Sequence, residues 1–298
     1  GFSMEALASG ICSTTTLSRV EAGSREIDSL MAEALLGRVG KEVTQFELLL
    51  NDEDYAMWQK RESIHAALKE KRYDEVRDGV CQYENMLTEE QSLHWQRCLA
   101  WRVQLEEACG GGREEIIRIA SEALAYTIAD VDSGMAGQLY NPLEIRLILV
   151  LARHIYFAAI EETEARLFRM VRCVETYYSG RMKETLGIEI LLTLIELMEK
   201  SGENNKVIRY ADQTIALIAK GRGIRHVAEL HYIKARAIEQ LYHGSVNWEE
   251  QARCCKQECT MAYYVAEMME EKDLLEEIAA YCEEKLTWQI TEQVMSFD

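Results

Sequence analysis

The stretch that decides the fold is Asn141-Pro-Leu-Glu-Ile-Arg146-Leu-Ile-Leu-Val-Leu-Ala-Arg153. Asn141 can cap the exposed amides of a helix, and proline at the first helical position loses no hydrogen bond. Apolar residues then fill nearly every side of the helix. Arg146 and Arg153 are seven residues apart and therefore share one face, two turns from each other. The pattern predicts a helix over 142–160 that is buried on most sides and carries one narrow charged stripe.

Residues 185–198 repeat this design with acidic side chains. The segment is rich in leucine and isoleucine, and Glu189 and Glu196 are again seven residues apart. Two mostly buried helices with one polar stripe each are typical of a stacked helical array. In a solenoid, such stripes would line the inner concave surface.

The rest of the chain reads as one helix after another, joined by short breaks. The chain has a single proline, and its abundant Leu, Glu, Ala, Lys and Arg lose little side-chain entropy in a helix. The helical segments indicated by the pattern are 53–71, 73–87, 89–108, 113–129, 142–160, 162–179, 183–200, 204–220, 224–243, 247–271 and 273–290. The sequence therefore predicts an all-α protein in which residues 41–298 form a tetratricopeptide-like α-solenoid of helical hairpins.

Charge and composition exclude several functional classes. The formal net charge is −18, so the bulk of the protein offers no basic surface for nucleic acid. Residues 1–40 hold three basic and five acidic side chains, which brings this segment much closer to neutrality. No apolar run reaches the ~20 residues of a membrane helix. We therefore expect a protein without membrane spans, with DNA contact permitted only near the N-terminus.

Motifs for catalysis and for metal binding are absent from the sequence. Nine cysteines without a signal peptide or a C-x-x-C pair indicate free thiols in the reducing cytoplasm. The densest cysteine group is Cys254, Cys255 and Cys259, and no histidine stands at ligand spacing beside it. Gly110-Gly111-Gly112 lacks the Lys-Ser/Thr of a phosphate-binding loop. We predict no cofactor, no metal and no enzymatic activity.

The N-terminal segment carries the most specific local pattern. Ser3 can cap a short helix through Ala8, and Ser9-Gly10 supplies a tight turn. Ser13 can cap a second helix that ends at Gly23, with its polar residues on the outer face. Two short helices with this arrangement fit the major groove of DNA. The alternative is an ordinary capped amphipathic helix within a bundle.

The run Cys12-Ser-Thr-Thr-Thr-Leu-Ser-Arg-Val-Glu-Ala-Gly23, preceded by Ala6-Leu-Ala, resembles the Cro/repressor-type helix-turn-helix of the XRE family. The resemblance implies that Thr14, Thr15 and Arg19 face base edges, and that Ser3 and Ser13 approach phosphates. That family's domain begins with a further helix, whereas only Gly1-Phe2 precede the first helix here. We therefore expect residues 1–40 to be a partial, truncated DNA-binding domain.

A helix-turn-helix followed by helical repeats is similar to the peptide-responsive RNPP regulators, which include the Rgg-type proteins. This resemblance implies a cytoplasmic homodimer that binds double-stranded DNA and holds a signalling peptide in its groove. The candidate peptide contacts are Arg146, Arg153, Glu189, Glu196 and Arg236. Alternatively, Arg146 or Arg153 pairs with Glu189 or Glu196 between stacked repeats.

Two other functions stay open at the level of sequence. The repeats of an interaction scaffold would bind a partner protein, and the helix-turn-helix would be vestigial. A weaker possibility is a regulator that binds a phosphatase or kinase through the same groove.

Overall fold

The computed structural model describes residues 2–41, 51–128, 139–155 and 160–290. Fourteen helices and the turns between them make up these ranges, and none of these residues lies in a β-strand. The helices are α1 (Met4–Ala8), α2 (Thr14–Glu21), α3 (Ser29–Arg38), α4 (Asp52–Lys69), α5 (Tyr73–Glu84), α6 (Ser92–Ala108), α7 (Arg113–Ala125), α8 (Pro142–Ile155), α9 (Ile160–Tyr177), α10 (Gly180–Ser201), α11 (Asn204–Lys220), α12 (Val227–Tyr242), α13 (Trp248–Met268) and α14 (Lys272–Leu286). The predicted all-α fold is confirmed.

The first three helices surround a small apolar core to which the repeats also contribute. A polar side chain caps each one: Ser3 for α1, Ser13 for α2 and Asp28 for α3. These caps satisfy backbone amides that have no partner inside the helix. The core contains six buried side chains, of which the last belongs to α6: Ala8, Ile11, Leu17, Leu30, Leu35 and Leu93. The N-terminal helices therefore share their apolar core with the repeats.

From α4 to α8, each helix packs against the next helix along the chain. The interior of α4, α5 and α6 is built around two fully buried aromatic side chains, Tyr83 and Trp101, whose rings meet edge to face at 5.4 Å. A hairpin of this size cannot bury its apolar face alone, so each neighbour along the chain covers the one before it.

The start of α8 is a capping box. The side-chain oxygen of Asn141 accepts a hydrogen bond from the Glu144 amide at 2.9 Å, and the Glu144 carboxylate accepts one from the Asn141 amide at 2.7 Å. Pro142 occupies the first helical position, where its missing N–H is not needed. The predicted start of this helix is thus the observed one.

Residues of α11 to α14 also pack on their neighbours in the chain, with α11 against α12, α12 against α13 and α13 against α14. Small side chains dominate the core between the last three helices, including Ala235, Cys255, Cys259, Ala262 and Cys282, all fully buried. Small residues at these positions allow helix backbones to approach closely.

The contacts between residues divide the chain into two compact units, Gly1–Leu186 and Gly187–Asp298. Both the N-terminal helices and the repeats through α9 belong to the first unit. The division of the sequence at residues 40 and 41, between a DNA-binding segment and the repeats, stays a prediction about function.

Candidate nucleic-acid interface

Helix α2 presents a polar face to solvent. Thr14, Thr15 and Arg19 are exposed, while Leu17 points inward and is 4% exposed. The hydroxyl of Ser13 accepts a hydrogen bond from the Thr16 amide at 3.0 Å and fixes the first turn of the helix. The expected outward orientation of the three candidate base-reading side chains is therefore the one observed.

Ser3 has the expected position as well. Its hydroxyl accepts a hydrogen bond from the Ala6 amide at 3.1 Å, at the start of α1. Ser3 and Ser13 are both exposed helix caps. Amide groups at a helix start carry partial positive charge, which is what a phosphate oxygen requires.

The turn between α1 and α2 is closed by Gly10, whose φ of +71° lies in the left-handed region. A Cβ atom at this position would stand 1.9 Å from the carbonyl oxygen of Thr127, at the end of α7. Glycine is therefore required at this position for two reasons: its positive φ and the close approach of the Thr127 backbone. The turn rests directly on the repeats.

A buried arginine forms hydrogen bonds with the backbone just before the same turn. Arg38, at the end of α3, is 1% exposed, and its guanidinium donates hydrogen bonds to the carbonyl oxygens of Leu7 and Ser9. Its second terminal nitrogen lies 2.8 Å from the carboxylate of Glu144, which is fully buried. Arg38 therefore joins the end of α1 to the capping box of α8.

A second buried network fixes the start of α3. The amide and hydroxyl of Ser29 donate to the carboxylate of Asp54 in α4, the hydroxyl at 2.6 Å. Arg61 donates to the same hydroxyl at 3.0 Å and to the phenol oxygen of Tyr83 at 3.3 Å. Each end of α3 is thus tied to the repeats through charged or polar groups.

The candidate peptide contacts of the first unit have different surroundings. Arg146 is exposed and lies on the wall of a cavity between α3 and helices α4, α6 and α8. Arg153 is partly buried and forms an ion pair with Glu107 at 2.8 Å, and Glu107 also lies 3.3 Å from a ring nitrogen of His154.

In the second unit, all three candidates are partly buried. Glu196 pairs with Lys200 one turn later, at 2.5 Å. Arg236 pairs with Glu199 at 2.6 Å and lies over the ring of Tyr232, 5.1 Å from its centre. Glu189 is half-buried in α10. Their roles as peptide ligands stay predictions.

Sequence reasoning missed the buried polar groups that hold the N-terminal helices. Two signals were available. Glu144 stands three residues after Asn141, which is the capping-box spacing. Arg38 lies within the apolar run Leu35-Leu-Gly-Arg-Val39, where a charged side chain implies a buried partner. Neither signal identifies the partner, because the two residues are far apart in the chain.

Two negative findings apply to the described ranges. No helix there has the length and apolar character required to cross a bilayer. No group of three or more His, Cys, Asp or Glu side chains in those ranges has the geometry to hold a metal ion.

The fold is similar to that of two solved bacterial proteins. One is PlcR from Bacillus thuringiensis in complex with the peptide PapR7 and DNA, with a TM-score of 0.58, 12% sequence identity and coverage of 92% of each chain. A second is the apo form of the competence regulator ComR from Streptococcus vestibularis, with a TM-score of 0.52, 17% identity and coverage of 94% of this chain and 92% of ComR. No protein-family model and no curated protein matches the chain. At such low sequence identity, the likeness shows a similar fold and no more.

Proposed function

We propose that the protein is a DNA-binding transcription regulator whose helix α2 enters the major groove. The observation that carries the proposal is the outward face of α2, where Thr14, Thr15 and Arg19 are exposed on a helix whose turn and cap are fixed. Arginine is the usual reader of guanine, and threonine reaches a base edge or a thymine methyl group. PlcR, which shares the fold, was solved with DNA bound.

The helical repeats are proposed to sense a short peptide, and the active species is proposed to be a homodimer. PlcR was also solved with a peptide. Within the first unit the peptide contacts would include Arg146 and Arg153, and within the second unit Glu189, Glu196 and Arg236. Mass spectrometry of the protein purified from its own cells tests this part. A copurifying peptide that the Arg153→Ala variant loses supports it, and a peptide-free protein argues against it.

DNA binding is tested with the full chain and a duplex library randomised over the length of one site. We expect selection to enrich a defined sequence. The Arg19→Ala variant should bind that sequence about 10- to 100-fold more weakly and lose preference at one base pair, because a bidentate arginine contributes roughly 1–3 kcal/mol of discrimination.

The matched control is Arg77→Ala, which removes one exposed arginine from α5 and leaves α2 intact. It should retain both affinity and preference. Unenriched selection, or equal loss in both variants, would falsify the regulator proposal and favour an interaction scaffold.

A further inference from the structure

The first unit contains a cavity of about 350 Å³ between α3 and the repeats, which we name the junction cavity. Its walls include Glu33 and Ala34 from α3, Trp58 and Arg61 from α4, and Arg97 from α6. The volume is at the small end of the roughly 300–1,000 Å³ found for ligand pockets. It suits a small organic molecule or the last residues of a peptide.

The charge of the junction cavity is opposite to that of the protein. Four basic and two acidic side chains line it, whereas the chain as a whole has a formal charge of −18. The basic residues are Lys41, Arg61, Arg97 and Arg146. A positive cavity in an acidic protein favours an anion over a neutral or cationic ligand.

Arg61 is buried without a direct ionic partner. Its side chain is 5% exposed and donates to the neutral hydroxyls of Ser29 and Tyr83. Among the described residues, no carboxylate oxygen lies within 4.0 Å of its guanidinium, and Asp54 is reached only through the Ser29 hydroxyl. Burial of a charge is costly unless an opposite charge lies close to it. An anionic ligand would supply that charge.

Two residues that line the cavity each have a buried N–H group with no hydrogen-bond acceptor among the residues that the structure describes. These groups are the Nε of Arg97 and the indole nitrogen of Trp58. Arg97 also contacts Glu33 through a terminal nitrogen, at 3.1 Å, and this contact does not use its Nε. Unsatisfied buried donors are uncommon in folded proteins and therefore mark a place where an acceptor fits.

The pKa of His65, at the edge of the cavity, is lowered first by desolvation and then by the same positive field. Its side chain is 47% exposed, yet partial desolvation and the charges of Arg97, Arg61 and Arg146 lower its pKa to about 4, against the opposing effect of Glu33. The imidazole is therefore neutral at pH 7 and adds no charge of its own.

We propose that the junction cavity binds a carboxylate, held by Arg61, Arg97 and the indole N–H of Trp58. A carboxylate matches the planar fork of an arginine. Phosphate sites in proteins commonly use backbone amides at helix starts or glycine-rich loops. The donors here are side chains from within α4 and α6. The carboxylate is either the C-terminus of a short peptide or part of a small organic acid.

Such a ligand would touch α3 and the repeats at the same time, since Glu33 and Ala34 form one wall. Under the proposed function, on which this consequence rests, its binding would alter how firmly α3 is held and hence the DNA affinity of α2. The carboxylate site itself rests on the cavity alone and is testable without DNA.

Calorimetric titration of the full chain tests the site with four probes: tri-alanine, its C-terminal amide, citrate and inorganic phosphate. We expect tri-alanine or citrate to bind in the millimolar range or tighter, and the amide to bind at least 10-fold more weakly than tri-alanine if the peptide acid is the ligand. Preference for tri-alanine identifies a peptide end, and preference for citrate a small acid. Binding of the amide as tight as that of the better carboxylate probe, preference for phosphate, or no binding of either carboxylate overturns the proposal.

The variant Arg97→Gln should weaken carboxylate binding 10-fold or more, because a charge-assisted hydrogen bond is replaced by a neutral one. Its matched control is Arg102→Gln, five residues later in α6, where the arginine pairs with Glu84 outside the cavity. The control should bind within twofold of the parent, and equal behaviour of the two variants contradicts the site. A protein that binds the carboxylate but selects no DNA sequence would refute the regulator and leave the junction cavity intact.

Discussion

Arg38 shows how a single residue fixes the N-terminal helices. Its guanidinium satisfies two backbone carbonyls at the end of α1 as well as the carboxylate of Glu144. Removal of one partner from such a buried pair leaves the other charge unpaired and typically costs about 3–5 kcal/mol. The main effect of the pair is therefore to fix the position of the turn between α1 and α2. Its net contribution to the free energy of unfolding is small.

At Gly10, we predict that substitution by alanine destabilises the first unit by more than about 3 kcal/mol. The new Cβ would overlap the Thr127 carbonyl oxygen, and alanine disfavours the positive φ. Thermal unfolding followed by circular dichroism measures the effect.

The control for this substitution is Gly23→Ala. Gly23 has a similar φ of +67°, but its added Cβ would meet no atom within 4 Å. Only the backbone strain remains, so the cost should be about 1–2 kcal/mol. A loss at Gly10 as small as that at Gly23 would mean that the turn does not rest on α7.

At the scale of elements, the sequence was sufficient to find the helices. Predicted segments 73–87 and 113–129 correspond to α5 and α7, and 204–220 coincides with α11. Residues 156–159 of the predicted 142–160 helix lie outside the described residues. Helix ends were less predictable because they depend on backbone conformations such as that of His226, with φ +66°, which precedes α12.

The candidate interface was predictable only where it depends on patterns within one helix. The caps Ser3 and Ser13 and the exposed face of α2 follow from local patterns within one helix. The contacts of Arg38 and Arg61 follow from tertiary packing, which no local periodicity encodes. The polar face of α2 could therefore be predicted from the sequence, whereas the buried contacts that hold the N-terminal helices on the repeats could not.

Three consecutive helices of the second unit are joined by one lysine. Lys234 of α12 is 9% exposed and lies 2.7 Å from Asp212 of α11 and 2.6 Å from Glu258 of α13. Burial raises the pKa of Glu258, but hydrogen bonds from His231 and Lys234 outweigh this effect and leave it below its ordinary value of 4.5. Because the folded pKa is depressed, the stabilisation is present above 4.5 and is lost as the pH falls through the lower, folded value.

We accordingly predict that Glu258→Gln lowers the stability of the protein at pH 7 by about 1–3 kcal/mol, since the variant leaves Lys234 with one carboxylate fewer. The difference from the parent should shrink below pH 4.5 and be measurable by urea unfolding at several pH values. Glu122→Gln serves as control, because Glu122 is half exposed in its pair with Arg118 and should contribute under about 0.5 kcal/mol. A pH-independent deficit for Glu258→Gln would contradict the ionic origin of the stabilisation.

At the scale of the whole molecule, the net charge limits how the proposed DNA target could be approached. The net charge is −18, and the exposed cations within the described residues 2–28 are Arg19 and Arg25. An acidic protein repels DNA except where such a cationic patch meets the phosphates. The proposed contact is therefore narrow, and base reading must supply much of the affinity.

The salt dependence of DNA binding tests this narrow contact. If Arg25 neutralises one phosphate per bound copy while Arg19 reads a base, the slope of log K against log salt concentration should be about −1 per copy. Arg25→Ala should reduce the slope by about one while sequence preference is kept, in contrast to Arg19→Ala. A slope of roughly −6 or steeper per copy would show that other surfaces of the protein contact the DNA.

The pairing of Arg38 with Glu144 also has a consequence for synthesis on the ribosome. The two residues are 106 positions apart, so the arginine is made long before its carboxylate. At the usual pace of roughly 5–20 residues per second, that interval is about 5–20 s. During it the guanidinium can donate to the carbonyl oxygens of Leu7 and Ser9 but has no carboxylate to neutralise it. The nascent N-terminal helices can therefore complete their buried contacts only after the middle of the polypeptide has emerged.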